Sequence, residues 1–166
     1  MRKEKILSPV DIIVSQSDLN GFIIYANPIF YKIAGYDYGE LLGKNHNIIR
    51  DPEMPKVIFK HLWEALHNKQ AIYCFIKNRS KDQGFYWVYA YIRPSFNPDG
   101  SMRNYISTRR AISPKARAII QPLYKNLLDL EKTQGVDASE EYYRRFIHAN
   151  QYHATSHNEV IQNIQF

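Results

Sequence analysis

Three successive runs rich in β-branched and aromatic residues, Ala71 to Arg79, Phe85 to Phe96 and Ser101 to Ile112, are separated only by Ser80-Lys81-Asp82-Gln83-Gly84 and Asn97-Pro98-Asp99-Gly100. Connections this short join antiparallel neighbours, because a parallel crossover needs a dozen or more residues, and their Ser, Asn, Asp, Pro and Gly content is that of tight turns. A three-strand meander is therefore expected. Upstream, a run from Asp11 to Gln16 and a second from Phe22 to Ala26 flank Asp18-Leu19-Asn20-Gly21. Asn-Gly tolerates the positive φ angles of a hairpin, so two further antiparallel strands open the domain.

Between these strand groups the period changes to that of helices. Asn27 can cap and Pro28 can start a short helix with Ile29, Phe30 and Ile33 on one face, which Gly35 stops. Asp37 and Glu40 have the spacing of a capping box for another short helix ending at Gly43. A longer helix is expected from Pro55 to about Asn68, with Ile58, Leu62, Ala65 and Leu66 on one stripe and Phe59 and Trp63 beside it. Strands at both ends with helices segregated between them describe an α+β domain, one five-stranded antiparallel sheet covered on one face by short helices.

After Ser113-Pro114 a stripe of Ile119, Ile120, Leu123, Leu127, Leu128 and Leu130 predicts a connecting helix, interrupted at Pro122 near its first turn. Thr133 to Asp137 reads as a linker. Asp137 and Glu140 are placed to cap a further helix carrying Tyr142, Tyr143, Phe146 and Ile147, and the polar tail from Gln151 is expected to fray. The expected division is an N-terminal cap at 1–10, the sheet domain at 11–112, the connecting helix at 113–132, and linker, C-terminal helix and tail at 133–166.

At 166 residues and 45% apolar composition, one core can bury roughly 70% of the surface the unfolded chain exposes, without disulfides or a structural metal. The single cysteine, Cys74, agrees: it cannot form an internal bridge or a thiolate metal site, and on a strand it reads as a small buried hydrophobe. The net charge of +6 permits an anionic partner, but no run reaches five or six like charges. The densest cluster, Arg109, Arg110, Lys115 and Arg117, reads as solvated surface charge, and no nucleic-acid role is expected. No stretch approaches the roughly 20 apolar residues of a membrane helix, and Met1 to Asp11 is too polar for a signal peptide, so a cytoplasmic protein without membrane insertion is expected.

Catalytic signatures are missing from the sequence. No nucleophile and base stand in recognisable context, the seven glycines are spread over turns, and nothing near His46 has metal-ligand spacing; His46, His61 and His67 read as single surface or core histidines, with haem ligation by one of them as the minor alternative. The expectation is a binding or sensing module rather than an enzyme. In the strand Phe85-Tyr86-Trp87-Val88-Tyr89-Ala90-Tyr91-Ile92, alternation puts Tyr86, Val88, Ala90 and Ile92 on one face and four aromatics on the other. Four aromatics on the outer sheet face imply a cover: a partner, a second copy, or the chain's own terminal segment.

The element order, with Tyr25-Ala26-Asn27-Pro28 and Gly35-Tyr36-Asp37-Tyr38-Gly39-Glu40-Leu41-Leu42-Gly43, resembles a PAS domain. The segment His46-Asn47-Ile48-Ile49-Arg50-Asp51-Pro52-Glu53-Met54-Pro55, together with Ile76-Lys77-Asn78-Arg79, Tyr86-Trp87-Val88 and Gln121-Pro122-Leu123-Tyr124-Lys125, resembles the PAS modules of Aer-type aerotaxis and energy-taxis receptors. The likeness runs from about residue 11 to 128. It implies non-covalent FAD and, by position, cofactor contacts at Arg50, Asp51, Glu53, Trp63 and Asn78. Arg50 would offer donors to a pyrophosphate, Trp63 a flat surface beside the ring system, and Asn78 an amide to its polar edge. On the residues alone, Trp63 reads as core, Arg50 with Asp51 as an ion pair at a helix entry, and Asn78 as a satisfied strand end. Asp51 stands where the family has His, Glu53 where it has Asp, and Ile72 where it has Trp. A reactive light-adduct cysteine has no counterpart in Asn45 to Arg50. The resemblance implies a cytoplasmic redox or energy sensor that signals to a membrane-bound chemoreceptor-type partner, with homodimerisation through the outer sheet face as a further expectation. The alternative is a cofactor-free PAS adaptor.

Overall fold

The computed structural model describes residues 1–151 and 153–166; of the expected tail, Tyr152 lies outside the described residues. Five strands, β1 (Ile13–Ser17), β2 (Ile23–Ala26), β3 (Ile72–Arg79), β4 (Phe85–Phe96) and β5 (Met102–Ala111), form one antiparallel sheet in the order β2-β1-β5-β4-β3. The β1–β2 turn forms as its residues dictate: the Asp18 carboxylate accepts from the Asn20 and Phe22 amides at 2.9 Å each, and Gly21 takes φ +86°. Between the hairpin and the meander lie α1 (Pro28–Ala34), capped by Asn27 and closed by Gly35 at φ +74°, a short 3-10 turn at His46–Ile49, and α2 (Lys56–His67).

Residues 37–43 form turns instead of the expected second short helix. Only half of the capping box is present, with Glu40 accepting from the Asp37 amide at 2.7 Å, and too few residues separate Gly39 from Gly43 to propagate a helix.

The C-terminal third departs furthest from the sequence expectation. The connecting helix α3 (Pro114–Gln134) runs 21 residues straight through Pro122, which sits in its third turn rather than its first. There is no linker: Gly135 alone, at φ +92°, separates α3 from α4 (Val136–Ala149). Asp137 and Glu140 do not cap α4; Glu140 bonds Lys60 and Arg144 instead. The tail is helical as α5 (His157–Gln165), capped by Ser156, with Val160, Ile161 and Ile164 buried.

These helices cover the outer face that the sequence left open at β3 and β4. Trp87 and Tyr89 are only 7% and 6% exposed. Tyr124 packs on Trp87 at 5.7 Å, the Arg117 guanidinium lies over the same indole at 5.2 Å, and Phe166 meets Tyr89 edge-on at 6.0 Å. Of the three covers expected, the chain's own terminal segment is the one that packs on these aromatics. The β3 edge is capped as well: Tyr124 donates to the Phe75 carbonyl at 2.6 Å, while Asn158 accepts from the Tyr73 amide and donates to the Ala71 carbonyl. Side chains thereby occupy backbone groups that would otherwise template aggregation.

Helix α2 is tied to this C-terminal layer. Its N-cap, Pro55, has no side chain able to accept, and the Glu131 carboxylate of α3 does the work instead, taking the Lys56 and Val57 amides at 3.0 Å each. Anionic acceptors at a helix N-terminus also meet the favourable end of its dipole. Glu131→Ala is expected to cost about 1–2 kcal/mol in urea unfolding; a loss below about 0.3 kcal/mol would mean that water caps α2 equally well.

Candidate functional site

Small and polar side chains occupy the concave face of the sheet where a solid core would need large apolar ones. Ser15 and Ser17 point inward from β1, Asn78 from β3, and Tyr105, Ser107 and Arg109 from β5. Helix α2 spans above them with Phe59, Leu62, Trp63 and Leu66. The result is a cavity of about 530 Å³, well inside the range of small-molecule sites, with Ile76 and Ile92 completing its apolar wall. Arg50, Lys56 and Lys60 stand at its solvent side. A more open hollow of about 500 Å³ shares Asn47, Arg50 and Lys56 with it and continues toward Arg79 and Lys132.

Arg109 is the outstanding group. It is 1% exposed, yet only Nη2 has a hydrogen-bond partner, donating to Ser15 Oγ at 2.5 Å; Nε and Nη1 have none among the described residues. No described carboxylate pairs with it, and its cation rests over the Phe30 ring at 4.4 Å. Burial lowers its pKa to about 10, so it stays charged at neutral pH. Ser15 Oγ, which accepts from Arg109, also lies 3.2 Å from His46 Nε2 and links the two groups in one hydrogen-bonded chain. His46 stacks on Phe30 at 5.9 Å, and desolvation, with the Arg109 charge second, pushes its pKa down to about 3. The imidazole is neutral.

Of the five residues implied by resemblance, the fold brings three to the cavity and two elsewhere. Arg50 lies at the mouth with its guanidinium 3.9 Å above the Phe59 ring; Trp63 meets Tyr105 edge-on at 5.7 Å; Asn78 is buried in the wall opposite Tyr86. Asp51 does not line the main cavity. Its fully buried carboxylate takes both Arg2 nitrogens, at 3.3 and 2.5 Å, and the Glu53 amide at 2.9 Å, so the ion pair expected with Arg50 is made by the N-terminal segment. Glu53 is held outside by Lys77.

The other candidates are placed as follows. Cys74 is buried, and burial pushes its thiol up to about 12, leaving it protonated. His67 flanks Trp63 at 5.8 Å. His61 is not among the residues lining the cavity; it lies 6.2 Å from His157 and 5.1 Å from Tyr143, and the Tyr143 hydroxyl meets His157 Nε2 at 2.8 Å. Among the described residues no three His, Cys, Asp or Glu side chains group as metal ligands.

Sequence reasoning misplaced Arg109. It was grouped with surface charge, whereas alternation from Tyr105 through Ser107 puts it on the concave face and Arg110 on the other. That signal was available in the strand itself.

A family profile described as PAS fold matches residues 23–109. The aerotaxis receptor of Escherichia coli (strain K12) is 36% identical over 115 residues, which cover 69% of this chain and 22% of that protein. The nitrogen fixation regulatory protein of Klebsiella oxytoca is 32% identical over 102 residues, 61% of this chain and 21% of that one. The chain thus spans about a fifth of the length of these curated relatives. Among solved structures, a light-oxygen-voltage domain from work on a flavin analogue superposes with TM-score 0.59 at 22% identity, covering 69% of this chain and 86% of that one. A PAS domain from Colwellia psychrerythraea gives TM-score 0.56 at 23% identity, covering 61% and 86%. At such identities the likeness speaks to fold.

Proposed function

The chain belongs to the PAS fold family, and from that premise we propose that it is a signalling module whose cavity holds a flavin, FAD in the first instance, without a covalent bond. The observation that carries the reading is a slot walled by Phe59, Trp63 and Tyr105, with buried guanidinium donors of Arg109 that have no partner among the described residues and with cations at its mouth. A bound flavin would supply a ring whose charge and hydrogen-bonding pattern change on reduction. The similarity to the aerotaxis receptor supports this choice of ligand chemistry and a role in signal transduction.

In this reading Trp63 and Phe59 flank the ring, Asn78 offers its amide to the ring's polar edge, and Arg50 with Lys56 and Lys60 receives the pyrophosphate. Asp51 and Glu53 act indirectly. Asp51 fixes the backbone beside Arg50 through the Glu53 amide and anchors Arg2, and Glu53 orients Lys77 on β3. The repulsion that an aspartate would exert on a phosphate, the main physical argument for a cofactor-free adaptor, does not apply to a carboxylate tied to Arg2.

Output passes from the cavity roof to the C-terminal layer, because α2 carries Trp63, is bonded to Glu131 and, through Lys60, to Glu140, and packs through the His61 ring edge-on against Tyr143. The receiving partner is a membrane-bound chemoreceptor-type protein met on the cytoplasmic side. Among the described residues no helix is long and apolar enough to cross a membrane. Homodimerisation through the whole outer sheet face would require α3 and α5 to leave Trp87 and Tyr89, so a dimer would use the β1–β2–β5 part of that face.

The test uses Trp63→Ala and Arg50→Ala after reconstitution with FAD. Each is expected to weaken FAD binding roughly tenfold, about 1.4 kcal/mol, with circular dichroism unchanged. Unchanged affinity in both would remove this assignment of the site.

A further inference from the structure

Arg109 joins three properties that conflict in a ligand-free fold: it is charged, it is 1% exposed, and two of its nitrogens have no partner among the described residues. A buried cation with neither counter-ion nor full hydrogen bonding destabilises a protein unless something else meets it. The groups facing it are a hydroxyl (Ser15), an aromatic face (Phe30), a neutral imidazole (His46) and the Tyr86 phenol, and none of them brings a negative charge. It also lines the cavity, so the counter-charge must come from the occupant. The cations at the mouth, Arg50, Lys56 and Lys60, are more exposed and suit a hydrophilic phosphate, whereas Arg109 lines the same cavity from a fully enclosed position.

We infer that Arg109 is an anion receptor for the ring end of the occupant, so that the cavity discriminates between charge states of its ligand and holds an anionic ring more tightly than a neutral one. This deepens the flavin reading and rests on it for the identity of the ring. A neutral oxidised flavin that gains two electrons and one proton carries one negative charge on its ring, and Arg109 then meets a full anion rather than carbonyl or ring-nitrogen lone pairs. The protein therefore favours the reduced cofactor and raises its midpoint potential.

The experiment compares wild type with Arg109→Gln and Arg109→Lys, loaded with FAD and separately with riboflavin, which has the ring but no phosphate. Reduction is by dithionite, which is oxidised to sulfite. Arg109→Gln is expected to lose at least tenfold more affinity for reduced than for oxidised flavin, a fall of about 30 mV in the two-electron midpoint. The fall should be the same with riboflavin, and Arg109→Lys should retain part of the potential. Without ligand, Arg109→Gln should melt no lower than wild type, since it removes an uncompensated buried charge.

A purely structural arginine gives the opposite pattern: Arg109→Gln melts lower without ligand, and oxidised and reduced flavin are weakened equally. Either result overturns the inference. Equal weakening confined to FAD would mean that Arg109 meets phosphate, which also overturns it. If wild type binds neither FAD nor riboflavin, the flavin reading fails on its own, and the ligand-free melting comparison still decides whether Arg109 is an uncompensated cation.

Discussion

Phe30→Ala is expected to destabilise the protein by about 3–5 kcal/mol, among the largest effects of any single truncation here. The ring is fully buried on α1, and it supports two groups of the cavity at once: the Arg109 cation at 4.4 Å and the His46 imidazole at 5.9 Å. Its removal costs the transfer of a large apolar side chain, leaves a void, and deprives a buried cation of its aromatic partner. Water admitted beside His46 should also let its pKa rise from about 3 toward the ordinary value near 6.5. Urea unfolding measures the first effect and imidazole NMR titration the second. A loss under about 1 kcal/mol with His46 unmoved would mean that the site does not depend on this ring.

Acidification from pH 7 to pH 5 is expected to remove a few kcal/mol of stability, before any carboxylate titrates appreciably. Burial depresses His157 to about 4 and His46 to about 3, and it lowers His61 as well. The unfolded chain therefore binds protons first as the pH falls, and stability declines from about pH 6.5 until the folded values are reached. Each unit of depression is worth about 1.4 kcal/mol. His157 faces the Tyr143 hydroxyl, Asn158 and His61; His61 in turn lies near Glu64 and Glu140, which favour its protonation, and near Arg144 and Lys60, which oppose it. Because this cluster joins α2, α4 and α5, His157→Gln should flatten the pH dependence of urea midpoints between pH 7 and 5. A wild-type midpoint that does not fall over that window would contradict the burial of these imidazoles.

How much of this was legible depended on whether the signal was local. The sheet was readable because alternation in 85–96 and the turn residues at 80–84 and 97–100 fix register within a few positions. Helix α2 was readable from its stripe. By contrast, α5 has only Val160, Ile161 and Ile164 as buried apolar residues in an otherwise polar segment, a face too narrow to register until β3 is there to receive it. The 133–137 stretch looked like a linker on composition, yet one glycine turns the chain and α4 starts at the next residue.

The cavity was expected from the family resemblance and is a real feature of the fold. Its most unusual residue was missed because Arg109 and Arg110 are indistinguishable by composition and differ only in which face of β5 they occupy. Asp51 illustrates the reverse. Its neighbour Arg50 suggested a local pair, but the partner is Arg2, 49 residues away, a contact no local pattern encodes.

The central claim is that the hollow under α2 holds a flavin ring. The most direct measurement is the visible absorption spectrum of the full chain after incubation with FAD and removal of free cofactor. The expected result is a yellow protein whose flavin bands bleach with dithionite and return in air. A protein that stays colourless after reconstitution at several FAD concentrations, while folded by circular dichroism, would contradict it.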